Sequence, residues 1–179
     1  MNDDSAVLEE AAALLNSLCG VFDGEAVDEL DHALQSAGRA IADGADDDLV
    51  LASALHDLAR SPLTAAPADA PHDRVARAWL TPRFGERVGW LAGAHVAAKR
   101  YLAATDPAYV GTLSSESMAT LRHQGGPAVA EEWVSHPWWS DAVRLRRYDD
   151  GAKVPGAQAP SIDEILAVAR RVRVGRAAR

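Results

Sequence analysis

Apolar residues recur along most of the chain at intervals of three and four positions, whereas runs that alternate apolar and polar residues are scarce. The first spacing is that of one face of an α-helix and the second is that of a β-strand, so the pattern predicts an all-α fold. A first helix should begin after Asp4 or Ser5 and end near Gly20. Further helices are predicted at about 25–42, 46–59, 72–80, 84–102, 114–122, 129–135 and 161–174.

The helix predicted at 46–59 differs from the others because it is apolar on nearly every side. A helix of this kind packs in the centre of a bundle. The segment 60–71 that follows contains three prolines, which predicts a loop and a candidate lid. In the helix predicted at 84–102, Gly93 is a candidate break.

Size and composition narrow the class of protein. The chain has 179 residues, so we expect a single domain over 1–179. Hydrophobic residues make up 48% and charged residues 25%, the balance of a globular protein rather than of a disordered or membrane-spanning chain. The net charge of -8 disfavours a nucleic-acid partner. The single cysteine, Cys19, excludes an intrachain disulfide. The acidic N-terminal segment lacks the features of a signal peptide. We therefore expect a cytoplasmic protein without a membrane partner.

The pair His56-Asp57 stands out because it closes the apolar run of the predicted central helix. Burying an imidazole beside a carboxylate costs several kcal/mol unless both are paired, hydrogen-bonded or bound to a metal. The alternative is a helix end at which the histidine bonds the last carbonyls and the aspartate faces water. The two interpretations are equally supported by the pair alone.

Three other histidines have an ordinary interpretation when each is taken alone. His32 lies on the polar side of its predicted helix, which favours a solvated face. His95 lies among small apolar residues, as a buried core histidine does, and Lys99 one turn later fits a surface lysine. His72 follows a proline at a predicted helix start, where a loop histidine is the simplest interpretation.

Taken together, these residues form an ordered series of four imidazoles and two carboxylates. Its members are His32, His56-Asp57, His72, His95 and an aspartate in RYDDGAK. Imidazole and carboxylate ligands suit first-row metal ions, and a carboxylate can bridge two of them. The order is typical of the HD-domain superfamily, in whose extended form the two extra histidines supply a second metal.

Longer stretches narrow the resemblance to one branch of that superfamily. The matching stretches are GEAVDELDHALQSA, LVLASALHDLA, AGAHVAAKRYLAATDPAY, HQGGP and AVRLRRYDDGAKVPG. With them the chain resembles the HD-domain mixed-valent di-iron oxygenases that cleave the C–P bond of hydroxylated aminophosphonates and are related to myo-inositol oxygenase. The resemblance implies an all-α HD-domain bundle, with its core at about 24–156 and a metal site inside it.

The resemblance also implies roles for particular residues. One iron would be held by His32, His56, Asp57 and Asp149, and the second by His72, His95 and a bridging Asp57. Asp149 is preferred to Asp150 because related enzymes place a lysine four residues after the ligand, as Lys153 is here. The residues expected to bind substrate are Glu25, Gln35, Arg60, Lys99, Gln124, Arg146 and Lys153. Among these, Glu25 is expected to orient a substrate amine.

The reaction that the resemblance implies uses Fe(II)/Fe(III) and O2 as co-substrate. A metal-bound oxygen species, rather than a protein nucleophile, would remove hydrogen from the hydroxyl-bearing carbon. Cleavage of the C–P bond would then yield phosphate and a carboxylic acid such as glycine. The expected substrate is therefore a small anionic organophosphonate.

Two departures from the family pattern keep other functions open. Phe22 stands where the family has a tyrosine that gates the second iron, and Arg60 stands where it has a substrate-binding histidine. The same ligands would also serve a metal-dependent phosphohydrolase acting on a small phosphate ester or nucleotide. A third interpretation is a degenerate domain that only binds a metabolite or a partner.

Overall fold

The structure, a computed structural model, describes residues 3–67 and 70–177, and throughout these ranges every regular element is helical. This confirms the predicted all-α fold. Ten α-helices and a 3-10 turn make up the described ranges. Their bounds are α1 Asp3–Ser17, α2 Glu29–Ala42, α3 Asp47–Leu55, the 3-10 turn Leu58–Arg60, α4 His72–Phe84, α5 Glu86–Thr105, α6 Pro107–Val110, α7 Ser115–His123, α8 Glu131–Val134, α9 Trp139–Gly151 and α10 Ile162–Ala177.

Helix α3 lies at the centre of the bundle, as its uniform apolar character predicts. All of its residues from Leu49 to Leu55 are buried, and the helix packs against α2, α5, α9 and α10. Asp46 caps its start by accepting a hydrogen bond from the Leu49 amide at 3.0 Å. The buried C-terminal end of α3 therefore delivers the next residues, His56 and Asp57, into the interior.

Helices α4 and α5 pack closely against each other, and two glycines of α5 allow this. A Cβ atom on Gly89 would lie 2.1 Å from the Thr81 Oγ1, and one on Gly93 would lie 3.0 Å from the Arg77 Cδ. Gly93 thus serves close packing, and α5 continues through it. The predicted break at Gly93 is wrong because a glycine in a helix is tolerated where a neighbouring helix needs its space.

Further elements differ from the sequence-based expectation, among them α2, α6 and α9. Helix α2 begins at Glu29 rather than near residue 25, because the Asp28 carboxylate caps it by accepting a hydrogen bond from the Asp31 amide at 2.8 Å. Helix α9 lies in the tryptophan-rich segment, for which the pattern predicted no helix. Its buried Ala142 and Leu145 are spaced at helical intervals, and the helix packs against α2 and α5.

Across the described ranges, none of the helices combines the length and apolar character needed to cross a lipid bilayer.

Candidate active site

Five chain segments bring the predicted metal ligands together in the bundle interior. These ligands are His32 on α2, His56 and Asp57 at the end of α3, His72 at the start of α4, His95 in α5 and Asp149 near the end of α9. The structure places all six beside one another, although they span more than a hundred residues of sequence. We call His32, His56 and Asp149 the inner group, and His72 and His95 the outer group.

The inner group surrounds one oxygen of Asp57. The Asp149 Oδ1 lies 3.4 Å from the His32 Nε2, and its Oδ2 lies 3.5 Å from the His56 Nε2. The Asp57 Oδ2 is 3.6 Å from the His56 Nε2 and 3.9 Å from the His32 Nε2. Four donor side chains thus face a common point.

The outer group faces the other oxygen of the same carboxylate. The Asp57 Oδ1 is 3.5 Å from the His72 Nε2 and 3.6 Å from the His95 Nε2. The two Nε2 atoms are 3.0 Å apart. Asp57 therefore separates two donor sets and presents one oxygen to each, which is the arrangement of a carboxylate that bridges two cations.

Backbone carbonyls fix the orientation of three of the imidazoles. The Nδ1–H of His32 donates to the Ala152 carbonyl at 3.0 Å. The Nδ1–H of His56 donates to the Ser53 carbonyl at 2.9 Å, and that of His95 donates to the Ala92 carbonyl. A carbonyl oxygen only accepts, so each Nδ1 carries the proton and each Nε2 lone pair points to the centre. This is how ligating histidines are oriented in metal sites.

The residues present fit a pair of first-row cations. The Asp57 Oδ1 is buried and has no hydrogen-bond partner within the described residues, so a cation would complete its coordination. Burial alone would raise the pKa of Asp57, but the nearby positive charges, that of His56 foremost, outweigh burial and hold the pKa well below its usual range. Burial also lowers the pKa of His95 to about 3, which keeps the imidazole neutral and able to ligate.

A small polar cavity of about 60 Å³ adjoins the two groups. Six of the seven residues expected to bind substrate line it, namely Glu25, Arg60, Lys99, Gln124, Arg146 and Lys153. The structure therefore brings most of the expected substrate contacts to the same face of the metal cluster.

Gln35 is the exception among the seven. Its amide nitrogen donates to the Val154 carbonyl at 2.9 Å, and its amide oxygen accepts from the Val154 amide at 3.1 Å. Both ends of the side chain are thus occupied, and Gln35 is not among the described residues that line the cavity. It anchors the segment after α9, and its contact with a substrate stays a prediction.

Arg146 is buried and holds both neighbouring aspartates. Its Nη1 donates to the Asp149 Oδ2 at 2.6 Å, and its other nitrogens donate to Asp150, which also accepts from the Tyr109 hydroxyl at 2.7 Å. Asp149 therefore faces the histidines while Asp150 faces away from them. Arg146 reaches the cavity but is committed to orienting these carboxylates.

Lys99 is buried rather than at the surface, so the surface interpretation is wrong. Its side chain is 3% exposed and its ammonium donates to the Thr120 Oγ1 at 2.5 Å. Burial, and next the nearby Arg146, lower the pKa of Lys99 to about 8. No carboxylate of the described chain lies within ion-pair distance of it.

The two departures from the family pattern differ in their relation to the cavity. Arg60 lines the cavity and pairs with Asp23 at 2.7 Å. The Phe22 side chain is 64% exposed and is not part of the described cavity lining. Phe22 thus occupies a surface position, whereas Arg60 can reach a bound molecule.

Sequence reasoning missed three acidic residues that line the cavity, which are Asp23, Glu29 and Glu116. Glu29 is the most deeply buried of the three. It lies on α2 one turn before His32 and is buried, with 7% of its surface exposed. Burial, and next the nearby Asp57, raise the pKa of Glu29 to about 7. The signal available in the sequence was its three-residue spacing from His32, which places both on one helix face.

Comparisons with known proteins agree with the geometry. No protein-family model matches the chain. A hydroxymethylphosphonate dioxygenase of Gimesia maris is 35% identical over 153 residues, which cover 80% of this chain and 76% of that protein. The glycine-betaine-forming [1-hydroxy-2-(trimethylamino)ethyl]phosphonate dioxygenase of Leisingera caerulea is 30% identical over 158 residues, covering 79% and 81%. An uncharacterized protein of Acanthamoeba polyphaga mimivirus is 32% identical over 144 residues, covering 73% and 65%.

Both relatives with an assigned activity are dioxygenases that act on phosphonates, and neither is a hydrolase. The extent of similarity to the Gimesia maris enzyme agrees with the resemblance carried by the sequence stretches. The chain belongs to the family of phosphonate oxygenases that cleave the C–P bond, and it is an oxygenase.

Proposed function

We propose that this enzyme uses two iron ions and O2 to cleave the C–P bond of a small hydroxylated phosphonate, with phosphate and a carboxylic acid as products. The observation that carries the proposal is the position of Asp57, whose two oxygens face two separate donor groups. A mononuclear site would not need a second pair of histidines across the same carboxylate.

The ligands of the first iron would be His32, His56, Asp57 and Asp149, and those of the second would be Asp57, His72 and His95. Imidazole and carboxylate donors suit iron. Bound there, the iron pair would supply Lewis acidity and the means to use O2. The protein holds the donors in place through the backbone carbonyls that accept the Nδ1–H groups.

The cations of the cavity would bind the phosphonate. Lys99 is the strongest candidate because its buried ammonium has no carboxylate partner in the described chain. The Arg60 guanidinium can add a planar, directional contact to phosphonate oxygens. Lys153 lines the same wall and donates to the Ser117 Oγ at 2.8 Å. Together they would orient the hydroxyl-bearing carbon toward the ligand cluster.

The proposed reaction balances without an external reductant. One C–H and one C–P bond of the substrate break, and the carbon and the phosphorus each gain one oxygen atom from O2. The substrate supplies all four electrons, so a molecule R–CH(OH)–PO3H2 and O2 give R–COOH and H3PO4. The names of the Gimesia maris and Leisingera caerulea enzymes support a phosphonate as the substrate class.

The proposal is tested by combining metal analysis with turnover. We would prepare the protein anaerobically with Fe(II), determine iron per chain, and follow O2 uptake and phosphate release with hydroxymethylphosphonate and 2-amino-1-hydroxyethylphosphonate. We expect about one phosphate released for each O2 consumed. Absence of O2 uptake on every phosphonate, together with hydrolysis of phosphate esters, would show that the proposal is wrong.

A further inference from the structure

A second cavity of about 950 Å³ adjoins the one beside the ligand cluster, which measures about 60 Å³. The two cavities meet at four residues that line both, namely Arg60, His72, Thr120 and Gln124. We call this shared wall the junction. The smaller cavity has room for a compact group such as a phosphonate, whereas the larger one lies in the size range of pockets that hold extended ligands.

The junction holds two buried polar atoms that have no hydrogen-bond partner within the described residues. One is the Arg60 Nε, which is a donor, and the other is the Gln124 Oε1, which is an acceptor. The Arg60 Nη1 is separately engaged with Asp23 at 2.7 Å. Because buried polar groups in proteins are nearly always hydrogen-bonded, these two atoms indicate that a molecule bound at the junction would contact them.

Arg100 of α5 brings a further cation to the second cavity. Its Nε donates to the Gly126 carbonyl at 2.9 Å, and a Cβ atom on Gly125 would lie 3.3 Å from its Nη2. The positive φ of both glycines lets the chain after Gln124 approach this guanidinium closely. Arg100 is thus held beside the junction, and no carboxylate of the described chain forms an ion pair with it.

Arg74 lies at the same end of the α4 and α5 pair. Gly93 of α5 packs against Arg77 of α4 and the helices are antiparallel, so residues after Gly93 face residues before Arg77. This register places Arg74 and Arg100 at the end where α4 begins. Arg77 pairs with Glu86 at 2.9 Å, but Arg74 is exposed and has neither an ion pair nor a hydrogen bond with any described residue.

Two carboxylates line the second cavity as well, those of Asp73 and Glu132. Neither forms an ion pair with a described residue. Asp73 lies in the first turn of α4, where the helix dipole stabilises a negative charge, and Glu132 is exposed to solvent. Guanidinium groups bind carboxylates through planar, paired hydrogen bonds. A carboxylate is therefore the ligand group that suits the unpaired arginines of this cavity.

We propose that the second cavity is a substrate subsite for the substituent on the hydroxyl-bearing carbon, and that this substituent ends in a carboxylate held by Arg100 and Arg74. The inference rests on the proposed function in taking a hydroxyphosphonate as the ligand, and it names the substrate class more closely. In the formula R–CH(OH)–PO3H2, the group R would pass the junction, where the Arg60 Nε can donate to it. The carboxylic acid produced by cleavage would then be a dicarboxylic acid.

The test measures binding without turnover. Under anaerobic conditions, titration calorimetry would give the dissociation constants of the iron-loaded protein for hydroxymethylphosphonate and for the compounds HOOC–(CH2)n–CH(OH)–PO3H2, in which n is two, three or four. The corresponding primary amides keep the length of the substituent and remove its charge, so they serve as matched ligands.

Three single variants and one double variant assign the preference to the cavity. Arg74→Gln removes an exposed guanidinium that no described residue holds, so the fold should not change. Arg100→Gln also removes the hydrogen bond to Gly126, so the melting temperature of each variant is recorded. Arg147→Gln is the control, because its side chain is 57% exposed and lies outside the described lining. The double variant combines the substitutions of Arg74 and Arg100.

We expect the wild type to bind the carboxylate about ten-fold to a hundred-fold more tightly than the amide for at least one chain length, as a charge-assisted hydrogen bond provides. Arg74→Gln and Arg100→Gln should each reduce this preference, the double variant should abolish it, and Arg147→Gln should retain it. Equal affinities of carboxylate and amide at every length, including failure of both to bind, would overturn the proposal. So would a preference that survives the double variant or is lost in Arg147→Gln.

The outcomes separate the subsite from the proposed reaction. Because no O2 is present, a carboxylate preference without later O2 uptake would refute the reaction but not the subsite. Phosphate release from hydroxymethylphosphonate with O2, but without any preference for a carboxylate, would refute the subsite and not the reaction.

Discussion

The two donor groups on either side of Asp57 are held in different ways. In the inner group, His32 and His56 donate their Nδ1–H groups to backbone carbonyls, and Asp149 is held by the buried Arg146. In the outer group, His72 is the first residue of α4 and directly follows the proline-rich segment. Its side chain is 23% exposed. His95 of the outer group is buried and donates to the Ala92 carbonyl, so the outer group opens toward the surface only at His72, whereas every member of the inner group is buried.

This difference predicts that the inner group binds its metal more strongly and that the outer group is more accessible to small molecules. A closed set of well-oriented donors favours strong and permanent metal binding. A set with fewer donors and an exposed histidine leaves room for small molecules at the metal. We therefore expect the outer position to lose its metal more readily and to be the side that substrate or O2 approaches.

Removing the shared carboxylate should have the largest effect because it belongs to both groups. Asp57→Asn keeps the side-chain volume but loses the charge that the two proposed cations would need. We expect iron content to fall at both positions and O2-dependent phosphate release to disappear. Elemental analysis of the purified variant checks this, and retention of the full iron content would contradict the shared role of Asp57.

Breaking the support of the inner group should mainly affect stability. Arg146→Met leaves Asp149 and Asp150 buried without their cation, and breaking a buried ion pair from one side costs about 3–5 kcal/mol. The neighbouring Arg147 has a side chain that is 57% exposed, so Arg147→Met should change the free energy of unfolding by at most about 0.5 kcal/mol. Urea unfolding of both variants measures the contrast. Similar losses in both variants would show that Arg146 is not a special support.

Single histidine-to-alanine substitutions should distinguish the two groups by the iron position that each one empties. His56 is fully buried, so His56→Ala should empty the inner position and cost about 2–3 kcal/mol of stability through the cavity it leaves. His72→Ala and His95→Ala should empty the outer position and leave iron in the inner one, with the smaller loss of stability for the partly exposed His72. The exposed His123 lies outside both groups and provides the control, since His123→Ala should keep the full iron content. Equal iron loss from His56→Ala and His72→Ala would remove the distinction.

The uncompensated Glu29 contrasts with Asp149 and should give a smaller, pH-dependent effect. The pKa of Glu29 is raised from 4.5 to about 7, so between these values the folded protein binds a proton that the unfolded chain has released. The free energy of unfolding contributed by Glu29 therefore falls as pH rises through this window. In metal-free protein, Glu29→Gln should gain about 3 kcal/mol of stability relative to the wild type between pH 4.5 and pH 8. A difference that does not change with pH would contradict the burial of an ionisable Glu29.

The metal-ligand series could be predicted from the sequence because each ligand type stands out against its local pattern. His56-Asp57 interrupts an apolar run, and the order of the other histidines matches a known series. The structure adds what the His56-Asp57 pair alone left undecided. His56 does bond a carbonyl at a helix end, that of Ser53, but Asp57 faces inward and not toward water.

The partners of polar side chains could not be predicted, because helical spacing gives the face of a helix and not what packs against it. His32 and Gln35 share one face of α2, yet only His32 faces the cluster, because the Gln35 amide is hydrogen-bonded to the Val154 backbone. Glu29 has the same spacing from His32 on the other side and reaches the cavity. The sequence pattern did not predict helix α9 because the helix is rich in arginine and aspartate and has only a short apolar face. That face is evident in the structure, where α9 packs against α2 and α5.

The central claim is that Asp57 bridges two metal ions, and anomalous X-ray diffraction at the iron absorption edge tests it most directly. Crystals of the anaerobically iron-loaded protein should show two anomalous peaks about 3.5–4 Å apart, as in other two-metal sites. One peak should lie among His32, His56, Asp57 and Asp149, and the other beside His72 and His95. A single peak, or a pair of peaks that does not flank Asp57, would contradict the account.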